Sequence, residues 1–375
     1  MSRKGAWPIA VAAGAAGLLA LAAVAAPAAT AGTASSSTGP AAVPKWRITE
    51  SVKTSANFTA VVATGRTTGW AFLGNGFNAA PVAFQLSGGT WKKAPFPGTK
   101  GDEAVIDAAA TSPSDVWAFT EGTGTSFPGG TPARALHYNG SKWSVVKTFG
   151  EPIAGASVLA ANDVWVFGTM GFTGEPALGA WHYNGSTWTQ VSKTIQGGSA
   201  LSASSVWGFN GVNVEHWNGA KWTATSVKSL LPPKANVDMD PQVVGILALS
   251  ARNVWAIGNG QDTDEGGPTV VLHYNGSRWT KLAQANRGFA AGPEFSSDGS
   301  GGLWIQNFSP EAGTAYLLHY SAGKLTVAAV PDGPTKMAVY AVSQIPGTTQ
   351  QLAAGETHAS RNFGAGIVAV LLKYS

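Results

Sequence analysis

A tryptophan returns at a near-constant interval in this chain, each time inside the same short phrase. The phrases read TTGW at Trp70, SDVW at Trp117, NDVW at Trp165, SSVW at Trp207, RNVW at Trp255 and GGLW at Trp304. Successive spacings are 47, 48, 42, 48 and 49 residues. A period of that size with β-type flanks is the signature of a closed ring of small sheets, an all-β propeller.

The fifth copy shows the strand pattern most clearly. Residues 243–249 (VVGILAL) are an apolar run suited to a buried inner strand A, and 250–253 form a turn. Residues 254–258 (VWAIG) are strand B, 260–268 a polar loop, 269–274 (TVVLHY) strand C and 277–282 strand D. Asn275-Gly276 between the last two is the strongest short hairpin signal, of the type I′ kind. The C–D phrase recurs at His137-Tyr138-Asn139-Gly140, His182-Tyr183-Asn184-Gly185, His216-Trp217-Asn218-Gly219 and, more loosely, from His319 to Gly323. Strand D carries a tryptophan of its own at positions 91, 143, 188, 222 and 279. The repeat tryptophans are therefore expected to pack within and between blades.

A seventh copy, from Met337 to Ser375, ends one strand short. The missing strand stands at the other end, where 44–49 (PKWRIT) matches 141–146 (SKWSVV). The expected fold is a seven-bladed β-propeller of four-stranded antiparallel blades. The strand near residue 44 pairs with the C-terminal blade, so that no sheet edge is left open.

Charged residues make up 12% of the chain, against about 25% in an average globular protein. Glycine, at 48 of 375 residues, is over-used. Low charge with many aromatic residues argues against disorder. The net charge is +4, and Arg3 and Lys4 supply two of those charges, leaving +2 over the rest. That balance is too weak to imply nucleic acid or an anionic membrane as partner. There is no cysteine, which excludes disulfides, thiolate catalysis and cysteine-ligated metal centres.

Residues 1–31 read as a secretory signal peptide. Arg3 and Lys4 precede an Ala/Val/Leu run, and Ala29-Thr30-Ala31 or Ala26-Pro27-Ala28 offers a cleavage site. Residues 32–43 read as a small, polar, flexible linker, and 44–375 as the propeller. No membrane insertion is expected after cleavage, and the expected location is extracellular or cell-wall associated.

SPSDVWAF (112–119), LHYNGSKW (136–143) and SARNVWAIG (250–258) resemble the Trp-rich propeller repeat of bacterial secreted proteins, near the galactose-oxidase and kelch-type propellers. The resemblance covers residues 44–375 and implies the fold rather than an activity. The kelch di-glycine has no consistent counterpart here. The copper site of galactose oxidase needs a cysteine that this chain lacks. The arginine triad of sialidases is also without a match.

Several side chains invite a functional reading. Five of the six histidines (137, 182, 216, 273, 319) share one repeat position. That symmetry puts them on different blades, too far apart for metal–ligand bonds of about 2 Å. They are expected to pack on tryptophan or to hydrogen-bond nearby, and Asp115 and Asp163 to hydrogen-bond their own turns. Asp238 and Asp240 before blade five, with Asp262, Asp264 and Glu265 in its B–C loop, are expected to converge on one face as a ligand-binding group. Residues 262–266 (DTDEG) bear a partial likeness to a calcium loop but lack the remaining ligand spacing, so calcium is the only metal left open and no other cofactor is expected. Asp107 and Glu294 align on strand A near the channel, where glycines 155, 197 and 245 stand in other blades. They are the candidate acid–base pair if the chain is an enzyme. The reading that follows is a monomeric, secreted, non-enzymatic binding module for an extracellular carbohydrate or protein. The alternative is a glycoside hydrolase or lyase using those two carboxylates.

Overall fold

The computed structural model describes residues 43–54, 56–74, 80–98, 104–122, 131–168, 178–233, 240–260, 268–285, 295–309, 314–333, 336–358 and 367–375. Residues 1–42, which hold the expected signal peptide and most of the expected linker, lie outside these residues. Among the described residues, no helix is long and apolar enough to cross a membrane.

The chain opens with β1 (Trp46–Lys53). Blade one follows as β2 (Phe58–Gly65), β3 (Thr68–Leu73), β4 (Val82–Ser87) and β5 (Thr90–Ala94). Blade two is β6 (Val105–Ser112), β7 (Asp115–Thr120), β8 (Ala133–Tyr138) and β9 (Trp143–Phe149). Blade three is β10 (Gly155–Ala160), β11 (Asp163–Gly168), β12 (Gly179–Tyr183) and β13 (Trp188–Ser192). Blade four is β14 (Gly197–Ser202), β15 (Ser205–Asn210), β16 (Asn213–Trp217) and β17 (Trp222–Ser226). Blade five is β18 (Gln242–Ser250), β19 (Asn253–Asn259), β20 (Thr269–Tyr274) and β21 (Trp279–Ala285). Blade six is β22 (Phe295–Ser297), β23 (Leu303–Ser309), β24 (Thr314–Ser321) and β25 (Lys324–Val327). Blade seven is β26 (Met337–Gln344), β27 (Gln351–His358) and β28 (Ile367–Tyr374), completed on its outer edge by β1.

The closing strand behaves as the sequence predicts. β1 pairs antiparallel with β28, from Trp46 opposite Tyr374 to Lys53 opposite Val368, with one register shift between Ile48 and Glu50. Blade seven thus joins the two ends of the propeller and leaves β28 with a partner on each side.

The core lies between blades. Each of the seven hydrophobic clusters joins one blade to the next around the ring. The cause is the two-residue strand period. On β7, Val116 and Ala118 turn toward blade one while Trp117 and Phe119 turn toward blade three. Every second-strand tryptophan therefore faces the following blade. Trp70 meets Trp143 at 5.1 Å, Trp207 meets Trp279 at 6.0 Å, and Trp304 meets Trp46 of the closing strand at 5.2 Å. The strand-C tyrosine of the next blade completes the contact, as in Trp70–Tyr138 and Trp304–Tyr374. Nine of the twelve repeat-position tryptophans are buried, whereas Trp188, Trp222 and Trp279 on outer strands are half-buried.

The Asn-Gly hairpins differ from the expected type I′ turn. In blades two to five only the glycine has positive φ, +90° at Gly140 for example, and four residues separate Tyr138 from its partner Trp143. The asparagine stays out of the left-handed region because its side chain caps the loop. Asn139 Oδ1 accepts the N–H groups of Ser141 and Lys142, each at 3.1 Å. A Cβ on Gly140 would also stand 2.8 Å from Ser114 Cβ of the neighbouring turn. Two consecutive positive-φ residues occur instead in blade one, at Gly88-Gly89, and in blade six, at Ala322-Gly323.

Candidate functional site

Successive strands of a blade run in opposite directions. A–B turns and C–D hairpins therefore lie on one face of the ring, and B–C segments and blade-to-blade links on the other. First strands enter the axial channel from the link face. Together they line a cavity of about 290 Å³ walled mainly by alanine, glycine, serine and short aliphatic side chains.

Asp107 stands at this cavity near the start of β6. Its Oδ2 accepts the N–H of Ala156 on β10 at 2.7 Å. Burial pushes its carboxyl up to about 6, against the opposing pull of the Ala156 and Ala108 N–H groups. Asp107 pairs with Phe119 as Gly155 pairs with Phe167, so its alignment with the glycines holds. Glu294 lies outside the described residues.

The Asp107 bond belongs to a pattern that the sequence reading missed. Ser157 Oγ accepts the N–H of Ala200, and Ser199 Oγ that of Ala248. Ser296 Oγ accepts the N–H of Gln344, and Ser343 Oγ that of Ala63. Each serine sits opposite the tryptophan position of its second strand and ties its first strand to that of the next blade. Blade two has Ala109 at this position, and Asp107, one pleat earlier, makes the equivalent link to blade three. A signal was present: a serine stands eight residues before Trp165, Trp207 and Trp304.

The repeated histidines form a second pattern, on the opposite face. Each packs on its own blade's second-strand tryptophan, stacked at 4.6 Å for Trp117–His137 and 3.9 Å for Trp304–His319 and tilted for Trp207–His216 and Trp255–His273. Each Nε2 also meets a residue from the A–B turn. The partners are Asp115 and Asp163 at 2.8 Å, Asn253 and Asp298 at 3.0 Å, and Ser205 at 3.2 Å. Asp115 and Asp163 thus bridge the turn to strand C. Asp115 also accepts a hydrogen bond from Thr111 within its own turn. Burial acts to raise the Asp298 carboxyl. Hydrogen bonds from His319 and from the N–H groups of Ser300 and Gly302 outweigh it and hold the group below the usual carboxylate range. Burial lowers His216 and His273, whose turn partners are the uncharged Ser205 and Asn253. Among the described residues no cluster of three His, Asp or Glu is placed to hold a metal ion.

Of the five acidic residues expected to converge as a ligand-binding group, Asp240 lies on the surface just before β18. Asp238, Asp262, Asp264 and Glu265 lie outside the described residues, as do most of the B–C loops. The link face also carries a second cavity, of about 460 Å³, between blades two and three. Trp181 and Lys147 stand in its wall, and neither was singled out from the sequence.

No family model matches the chain, and no curated protein matches it in sequence. Solved structures do match. YCF48 from Cyanidioschyzon merolae superposes with a TM-score of 0.51 at 14% identity, over 88% of this chain and 98% of that one. A chain of the mitotic checkpoint complex superposes with a TM-score of 0.51 at 10% identity, over 87% of this chain and 93% of that one. At such identities the likeness shows the fold alone.

Proposed function

We propose that this chain is a secreted, non-enzymatic binding module that takes an extracellular glycan or protein on its link face. The observation that carries the reading is the use made of Asp107. Its carboxylate serves as one rung of a ladder that other blades build from serine, which is a structural duty. The channel around it offers mostly small side chains. The leader composition of residues 1–31 supports export. The test is a glycan array and an extracellular-protein capture with the full chain. The expected result is retention of a ligand without product release.

A second reading has one observation in its favour. A carboxyl raised to about 6 suits a general acid, so Asp107 with Glu294 could serve a glycoside hydrolase or lyase. Turnover abolished in both Asp107→Asn and Glu294→Gln would establish the enzyme and remove the binding-module reading.

A further inference from the structure

Strand C of the repeat reads Leu-His-Tyr at 136–138, 272–274 and 318–320, and its leucines are buried. Blade three reads Trp181-His182-Tyr183, and the indole is only half-buried. The repeat itself does not call for a tryptophan here, and a local departure of this kind is where function is expected to show.

The surroundings fix the ring. Trp181 packs edge-on against Phe149 of blade two, with ring centres 5.8 Å apart at 74°. Its Nε1 donates to the carbonyl of Leu178 at 3.0 Å. Gln190, its cross-strand partner on β13, donates Nε2 to the same carbonyl at 3.0 Å, which leaves the amide oxygen as an acceptor. The Lys147 ammonium stands 5.5 Å from the Trp181 ring centre and 5.8 Å from that of Phe149, held there by cation–π attraction. Lys193 and Glu151 complete the polar wall. The volume of about 460 Å³ lies in the range of small-ligand sites, roughly 300–1,000 Å³.

We infer that this cleft is a subsite for one neutral hexopyranose unit, stacked by its C–H face on Trp181. The inference rests on the glycan reading above and narrows it to named residues. A pyranose presents an apolar face and an edge of hydroxyls, each both donor and acceptor. The cleft offers the complement: a fixed indole, the ammonium groups of Lys147 and Lys193 as donors, and the Gln190 oxygen and Glu151 carboxylate as acceptors. A wall that carries both ammonium and carboxylate groups suits hydroxyls better than a strongly charged ligand, and a preset aromatic ring loses little entropy on binding.

The experiment titrates the full chain by calorimetry with neutral hexopyranose tetrasaccharides and their carboxylated counterparts. The panel is repeated on Trp181→Leu, which installs the residue that blades two, five and six carry, and on Lys147→Gln. A neutral sugar should bind, and Trp181→Leu should weaken it about tenfold or more at an unchanged melting midpoint. Raising salt from about 0.05 M to about 0.5 M should change Kd less than about twofold. Should Trp181→Leu not fold, the loss in Lys147→Gln carries the test. Neutral-sugar binding that survives both substitutions overturns the cleft and leaves the glycan reading standing. Binding confined to carboxylated sugars, with steep salt dependence, overturns the neutral-sugar assignment. Failure of every glycan to bind overturns both the subsite and the glycan reading.

Discussion

A carboxylate that turns toward the axis of a ring of strands leaves bulk water and gains backbone N–H groups, and Asp107 shows the balance between the two. Burial prevails, so the native state holds the proton up to about pH 6, whereas the unfolded chain releases it near the ordinary value of about 3.8. The folded pKa is the higher one. Its contribution to stability is therefore fully present below about pH 4 and is lost as pH rises through about 6. Replacing Asp107 by Asn should remove that slope and, at pH 7, stabilise the fold by about 1–3 kcal/mol. Urea melts of both proteins at pH 4, 5, 6 and 7 check this, and parallel curves across the range contradict it. This residue also shows how far sequence can be read. Its place on strand A near the channel was legible from the repeat. Its partner was not, because the Ala156 N–H belongs to another blade and nothing local announces it.

At the scale of the strand, the tryptophan period carried most of the fold. It located the second strand of six blades, and counting from it placed the histidines, the hairpins and the missing outer strand. What it left out are groups that act between elements. The serine ladder left a faint trace, because serine is common and only three copies precede a tryptophan. Trp181 was hidden among fifteen tryptophans and is told apart only by standing where blades two, five and six have leucine. Two substitutions test the packing between blades. Trp255 is 5% exposed, lies 4.5 Å from the tilted ring of His273 and meets Tyr320 of blade six at 5.6 Å. Trp255→Ala should cost about 3–5 kcal/mol in urea melts, and a loss below about 1 kcal/mol would mean that the indole does not hold blades five and six together. Ser199→Ala leaves the Ala248 N–H without its acceptor in a buried setting and should cost about 1–3 kcal/mol. A melt that coincides with that of the parent would remove the ladder from the account of stability.

For the whole molecule, the question is how seven similar wedges become one closed body. No blade covers its own two faces, so each depends on both neighbours, and an open ring would leave one apolar interface and one strand edge exposed. Here β1 completes the blade that ends the chain, and Trp46 brings an indole against Trp304 of blade six, as the outer strands of blades two, three and five do against the blade before them. The last and first blades meet through Leu352 and Trp91, where a leucine replaces the second-strand tryptophan. Closure is thus made by two ends of the chain more than 300 residues apart, Trp46 opposite Tyr374. Native-state hydrogen exchange on the full chain tests this most directly. The β1 amides bonded to β28 should exchange as slowly as those joining β27 to β28. Exchange of β1 at free-peptide rates beside a protected β27–β28 pair would show that the ring is not closed by its N-terminal strand.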